Sequence, residues 1–329
     1  MPDTPAFNSL SVIIPTYNRE KVLAKALEAH LAQSSPELIQ ELLVVDDGST
    51  DDTESMVAEF GRRSPFPIRY FRQSHRGPAT ARNLGIREAT SNLILFTDSD
   101  IVPQHDLVAQ HLEWHNRNPQ IGAAVLGYVT WSPEIKATPF MRWYGEDGAL
   151  FRYRSLRGRP GKVGCHFFYT CNLSLKTEFL RTGGQFDEDF QSTGYEDLEL
   201  GYRLNKRGMR LLYNPAAIGY HYQRLSFEEA CRKARGNRVS ALLFFRKEAG
   251  QQLWQEVQQT QSAARNTMIK GVARAAARVG SPARRLLDSS FPLPRSVYHL
   301  FYWHDATRVL MTNVVEGGSV ATHVAEDKT

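Results

Sequence analysis

"ILFTDSDIVP" (residues 94–103) runs from an apolar, β-prone quartet through Asp98-Ser99-Asp100 to another apolar pair closed by a proline. A short apolar run without polar alternation has the character of a strand covered on both faces. Three upstream runs share that make-up: "LSVIIP" (10–15), "ELLVVD" (41–46) and "PIRYFR" (67–72), separated by segments with helical spacing. Strands alternating with helices predict an α/β fold, a Rossmann-like and mainly parallel sheet flanked by helices. Ligands of open sheets bind beyond the carboxyl ends of the strands. Here three of those ends read "PTYNRE", "DDGSTDD" and "TDSD", all polar and two of them acidic, so they should meet at one crevice.

Residues two apart on an extended strand point the same way, which would make Asp98 and Asp100 converge. Two carboxylates on one side repel unless a cation, a proton or a hydrogen-bond cage offsets the charge. Oxygen ligation favours a hard divalent ion, Mn²⁺ or Mg²⁺, shared with a diphosphate and water. The triplet by itself reads equally well as a cap on the helix opening near Pro103.

Composition restricts the alternatives. Apolar residues make up 42% and charged residues 23%, ordinary globular usage that argues against disorder or a fibrous repeat. Forty Lys and Arg against 35 Asp and Glu leave a mild +5, which suits anionic ligands or a lipid surface without requiring either. Cys165, Cys171 and Cys231 form no C-x-x-C pair, so reduced thiols in a cytosolic compartment are expected, and no zinc site. "MPDTPAFNSL" lacks the basic and apolar regions of a secretory signal, and no apolar run approaches the ~20 residues of a spanning helix. The expectation is a cytoplasmic protein, soluble or peripheral on the inner face of the membrane.

After residue 120 the rhythm changes. "IGAAVLGYVTW" reads as a longer strand and residues 132–164 as a largely irregular, Pro/Gly-punctuated stretch carrying Arg152, Arg154, Arg157, Arg159 and Lys162. "CHFFYTCNLSL" suggests a strand, "EDLELGYRLNKRG" a helix ending at Gly208, and "RLLYNP" and "AIGYHY" two short strands. One amphipathic helix is predicted from Ser226 to about Lys247. In "GYEDLELG" the adjacent Glu196 and Asp197 stand about 100° apart on a helix, so one of them at most faces a substrate comfortably. Glu199 is placed for an ordinary ion pair with Arg203 four residues on. Gly194 permits a tight turn or a close backbone approach.

Five motifs in order, "SVIIPTYNRE", "LLVVDDGSTDDT", "GPATARNLGI", "LILFTDSD" and "GYEDLELGYRL", resemble the family 2 glycosyltransferases of the GT-A fold over roughly residues 9–222. The resemblance implies a metal-dependent inverting transferase that uses a nucleotide-diphosphate sugar, most simply a UDP-sugar, and a glycan or lipid-linked acceptor. It implies that Pro15, Thr16 and Tyr17 lie against the nucleobase and that Asp47 accepts a hydrogen bond from it, while Asp46 or Asp47 caps the next helix. Arg82 would meet donor phosphates or stack on the base. Asp98 and Ser99 would touch the nucleotide, and Asp98 and Asp100 would hold the metal, Asp100 more directly. His221 would be a third ligand, the alternative being a buried histidine between Tyr220 and Tyr222. Among Glu196 and Asp197 the resemblance selects Asp197 as the base, with Glu196 orienting a neighbour or contacting the acceptor. Asn172 and "GGQFDEDF" (183–190) would line the pocket. His111 and His115 share a helix face without an acid at metal spacing and are expected to be surface or core residues.

The implied organisation is a GT-A nucleotide-sugar-binding and catalytic domain (1–225), a helical basic C-terminal extension (226–310) and a disordered tail (311–329). Between Ser262 and Leu310 eight Lys/Arg face two Asp/Glu, interleaved with aromatics, which fits either an interfacial helix at 262–310 or packing onto the catalytic domain. No nucleic-acid-binding signature accompanies these residues. Two rivals remain: a nucleotidyltransferase, disfavoured because "PTYNRE" has no glycine-rich phosphate loop, and a non-catalytic nucleotide-sugar-binding scaffold, disfavoured by the presence of Asp197.

Overall fold

The computed structural model describes residues 7–146, 150–260, 287–289, 293–298 and 301–302. Strands β1 (Leu10–Thr16), β2 (Ile39–Asp46), β3 (Ile68–Arg72) and β4 (Leu93–Thr97) lie in the order β3-β2-β1-β4, all parallel. Helices α1 (Glu20–Leu31), α2 (Thr53–Arg63) and α3 (Pro78–Glu88) make the crossovers. Strand periodicity accounts for two cores. Val12, Ile14, Leu42, Val44, Leu93 and Leu95 face Leu23 and Leu27 of α1 and Val57 and Phe60 of α2, whereas Ile13, Leu43, Ile94 and Phe96 face Ala79 and Ile86 of α3. Gly85 lets α3 lie so close that a Cβ there would press into Ile13.

The chain continues through β5 (Ile101–Pro103), α4 (Leu107–Arg117), β6 (Ala123–Trp131), α5 (Pro139–Glu146), β7 (Gly161–Lys162), β8 (Asn172–Lys176), α6 (Thr177–Gly183), α7 (Glu196–Lys206) and β9 (Arg210–His221). From β4 the sheet order runs β8-β6-β9-β5. Strand β8 is antiparallel to β4 and β6, β9 is parallel to β6, and β5 and β7 run antiparallel to β9. The expected α/β class and helix-flanked sheet are borne out, with the all-parallel order confined to the N-terminal half.

Several local expectations change. Residues 132–164 are less irregular than expected, because Phe140, Trp143 and Tyr144 recur at helical spacing and are buried on α5. The first part of "CHFFYTCNLSL" is a 3₁₀ turn, Cys165–Phe167, and only Asn172–Lys176 pairs as a strand. "RLLYNP" and "AIGYHY" form one strand whose register against β6 slips between Gly127 and Tyr128, leaving Pro215 and Ala216 exposed. Asn172 stitches that irregularity, its Nδ2 donating to the carbonyls of Tyr128 and Ala217. His111 and His115 are fully buried. They bond to Ser174, Asn172 and Lys176 of β8, a purely internal network.

The predicted helix at 226–247 breaks at Asn237 into α8 (Phe227–Gly236) and α9 (Arg238–Arg246), followed by α10 (Glu248–Thr260). Ser226 starts α8 with a reciprocal capping box to Glu229. Phe227, Ala230 and Cys231 of α8 pack with α5 and with Leu287, Tyr298 and Tyr302 in a third, aromatic-rich core. Most of 262–310 and all of 311–329 lie outside the described residues. Among the described residues, no helix is long and apolar enough to cross a membrane.

Candidate active site

The carboxyl ends of β1, β2 and β4 do converge, and hydrogen bonds between loops hold them together. Asn18, in the left-handed region at φ 50°, offers Oδ1 to the Thr50 amide and donates its own amide to Ser49 Oγ. Asp46 accepts from the Ser49 amide and the Tyr70 hydroxyl, closing its own turn. Neither Asp46 nor Asp47 caps α2, whose N-cap is Asp52. Asp47 is 4% exposed, and its oxygens accept from Gln73 Nε2 and the Arg76 and Gly77 amides at 2.7–2.9 Å, while His75 Nδ1, paired with the Asp47 carbonyl at 3.2 Å, lies 2.8 Å from Oδ2. A carboxylate has about four acceptor positions, so the chain itself fills most of them and His75 crowds the rest. Tyr17 stacks on His75 with ring centroids 4.2 Å apart, beside half-buried Pro15 and buried Thr16.

Asp98, Ser99 and Asp100 form a turn, the Ile101 amide donating to the Asp98 carbonyl at 3.0 Å, instead of continuing the strand. The argument from strand alternation therefore does not apply, and the two aspartates take different partners. Arg82 Nη2 donates to Asp98 Oδ1 at 2.8 Å, while Arg19 Nη1 donates to Asp100 Oδ2 at 2.7 Å. Ser99 is buried between them.

His221 ends β9 opposite Ile101, with Nε2 3.4 Å from Asp100 Oδ2. Its ring stacks on Trp131 at 5.0 Å, and its buried Nδ1 has no hydrogen-bond partner among the described residues. His221 thus packs against Trp131 of β6, not between its neighbours Tyr220 and Tyr222.

Among the described residues no three His, Cys, Asp or Glu side chains are grouped to hold a metal, so the expected trio of Asp98, Asp100 and His221 is not assembled. Asp100 and His221 alone fit a divalent ion. Their donor atoms face each other, and one carboxylate with one imidazole suits Mn²⁺ with phosphate and water in the remaining positions. Burial opposes ionisation of Asp100, but electrostatic attraction to His221, hydrogen bonding with it, and the charges of Arg19 and Lys233 hold its carboxyl well below the usual range.

The proposed base arrives on α7. Gly194 and Tyr195 are both left-handed, at φ 99° and 73°, and turn the chain sharply into the helix. A Cβ at Gly194 would press on Asn237, so the glycine serves both a turn and a close approach. Glu196 is 4% exposed, its Oε1 3.3 Å from Arg82 Nη1 and its Oε2 without a partner among the described residues. Asp197, with a side chain 24% exposed, accepts from the Thr170 amide and hydroxyl at 2.7–2.9 Å and lies 4.0 Å from Arg82. Burial and the adjacent Asp197 push the Glu196 carboxyl up to about 7 against the pull of Arg82. Burial likewise raises Asp197, opposed by Arg82 and Thr170. Two carboxyls with elevated proton affinity beside a crevice suit proton transfer near neutral pH, and Asp197 is the more open of the two. The expected ion pair between Glu199 and Arg203 forms at 2.7 Å.

Arg82 has carboxylate partners that the sequence did not indicate. It is 5% exposed on α3, and its guanidinium faces Asp98, Glu196 and Asp197. It ties the Asp98 turn to α7. The sequence reading missed Arg19, His75, Gln73 and Thr170. Arg19 was within reach of it, two residues past Tyr17 in the same crevice loop, whereas Thr170 carries no local signal.

A sequence model described as glycosyl transferase family 2 matches residues 11–184. A validoxylamine A glucosyltransferase of Streptomyces hygroscopicus subsp. limoneus is 34% identical over 234 residues, 64% of this chain and 51% of the relative. A chondroitin synthase of Escherichia coli is 29% identical over 268 residues, 73% of this chain and 38% of the relative. The chain spans about half or less of the length of these curated relatives. In fold it matches the mannosyltransferase PcManGT of Pyrobaculum calidifontis, solved with GDP-Man and Mn²⁺, at a TM-score of 0.64 and 22% identity, covering 94% of this chain and 88% of the other. It also matches residues 1–349 of S. aureus TarS in complex with UDP-GlcNAc, at 0.53 and 17% identity, covering 92% of each.

Proposed function

Because the chain belongs to glycosyl transferase family 2, we propose that it transfers a sugar from a nucleotide-diphosphate sugar, a UDP-sugar first, to a hydroxyl of a glycan or lipid-linked acceptor, with inversion. The observation that carries this reading is the position of Arg82, which brings the Asp98 turn and the carboxyls of Glu196 and Asp197 to one place. A donor-side turn and a proton acceptor must be adjacent for displacement at an anomeric carbon.

Tyr17 offers an aromatic face to the base, and Asp47 offers an acceptor once Gln73 or His75 gives way. Asp197 takes the proton of the acceptor hydroxyl as the new C–O bond forms and the bond to the diphosphate breaks. Thr170 aims that carboxylate, and buried Glu196, through Arg82, maintains the charge balance behind it. Asp100 and His221 would hold the divalent ion, Mn²⁺ or Mg²⁺, which supplies positive charge for the departing diphosphate. With Arg82 enclosed by three carboxylates, its contact with the donor is through Asp98 and not with phosphate directly.

Leu287, Tyr298 and Tyr302 are buried against α5 and α8, which supports packing onto the catalytic unit as the role of the described part of the extension. Incubation with a panel of nucleotide sugars, Mn²⁺ and candidate oligosaccharide acceptors tests the proposal. Release of free nucleoside diphosphate supports it. Pyrophosphate release would point to nucleotidyl transfer, and tight binding without turnover to a scaffold.

A further inference from the structure

Arg19 occupies the oxygen that a metal ion would need. Its Nη1 donates to Asp100 Oδ2 at 2.7 Å, and the same oxygen lies 3.4 Å from His221 Nε2. The two arginines of the crevice differ in freedom. Arg82 has a side chain 6% exposed and three carboxylates around it, whereas the Arg19 side chain is 37% exposed and holds one carboxylate among the described residues. Arg19 also sits just outside α1, at its N-cap position, on the loop that carries Tyr17. The long side chain can therefore change partners without unwinding a helix.

A second cation stands nearby. Lys233 of α8 donates to Gln223 at 2.8 Å, and Gln223 follows directly after Tyr222, whose amide bonds to the Asp100 carbonyl at 2.7 Å. The Lys233 ammonium is attracted to Asp100, and also to Glu229 and Asp98, and is repelled by Arg19. Arg19 and Lys233 thus bring two cations to the Asp100 side of the crevice, where a diphosphate would lie, and a guanidinium matches phosphate oxygens through paired N–H groups.

We propose that Arg19 is a donor-diphosphate ligand that rests on Asp100 in the empty site and moves to the phosphates when a divalent ion and a nucleotide enter together. The inference rests on the reading of the site as one for a nucleotide-diphosphate donor. Charge stays balanced in the exchange: the dication replaces the guanidinium on Asp100, and the guanidinium meets phosphate. Each ligand then strengthens the other, because the metal frees the arginine that the nucleotide needs.

Calorimetric titration of the full-length protein, with Mn²⁺ alone and with UDP in the presence of Mn²⁺, tests the exchange. Loss of the Mn²⁺ electron paramagnetic resonance signal on binding provides a second readout. Arg19→Gln should bind Mn²⁺ alone about tenfold more tightly, and UDP with Mn²⁺ about tenfold more weakly, than the wild type. Arg19→Lys, which keeps the charge without the fork, should fall between them, and unchanged melting curves would show that both variants fold. Both affinities unchanged to within about twofold in Arg19→Gln would overturn the proposal. Tighter Mn²⁺ binding with undiminished UDP binding would also overturn it, since Arg19 would then be only a counter-ion to Asp100. Failure of the wild type to bind UDP or GDP with Mn²⁺ would instead remove the donor reading itself.

Discussion

Arg82 Nη2 lies 2.8 Å from Asp98 Oδ1, a contact between a helix side chain and the turn that follows β4. The arginine faces inward from α3, and the aspartate leaves the strand in a turn. Through its further contact with Glu196, Arg82 joins the loop after β4 to the first turn of α7, which lies about a hundred residues further along the chain.

Removing that contact should damage folding as well as chemistry. Arg82→Met strips the buried Glu196 of its counter-charge, and a broken buried ion pair costs about 3–5 kcal/mol. Urea unfolding should show a loss of that order, and Glu196→Gln in the same chain should restore part of it. A variant as stable as the wild type would show that Arg82 and its carboxylates carry no structural weight.

Asp197 and Asp100 should separate catalysis from donor binding. Asp197→Asn should leave UDP and Mn²⁺ binding within about twofold while lowering kcat by about 10²–10⁴-fold. Asp100→Ala should instead abolish Mn²⁺-dependent UDP binding. Steady-state kinetics alongside calorimetry separates the two, and full activity in Asp197→Asn would reassign the base.

The pH dependence follows from the raised Glu196 carboxyl. Its affinity for a proton rises from the usual 4.5 to about 7 on folding, so between these values the folded chain binds more protons than the unfolded chain. Stability contributed by this group is therefore present below about pH 4.5 and lost as pH rises toward 7. Glu196→Gln, which cannot ionise, should gain stability relative to wild type across that window in denaturant titrations at several pH values. A difference independent of pH would mean that Glu196 titrates normally.

Gly77 is a backbone test of the nucleobase end. It holds φ 93°, and its amide bonds to Asp47. A Cβ there would overlap the backbone of Gln191. Gly77→Ala should destabilise the protein by about 1–3 kcal/mol and weaken UDP binding, both measurable by thermal shift with and without nucleotide. Gly61→Ala, with open space around its Cβ, is the matched control.

The N-terminal half of the fold was legible because parallel strands buried on both faces must be written as continuous apolar runs, and β1, β2 and β4 are written that way. The crevice was legible for a related reason: polar residues directly after such runs have nowhere to go but the sheet's edge. Helix α5 was missed because prolines and glycines around it obscured the spacing of Phe140, Trp143 and Tyr144.

Local patterning could therefore name the chemical groups at the site, since composition and alternation are short-range properties of the chain. Their pairing is long-range. Arg82 reaches Glu196 across 114 positions and Arg19 reaches Asp100 across 81, and no periodicity encodes such contacts. Which aspartate faces an arginine of α3 and which faces an imidazole of β9 follows from sheet order and helix packing, because these bring oppositely charged groups within bonding distance only after the chain has closed.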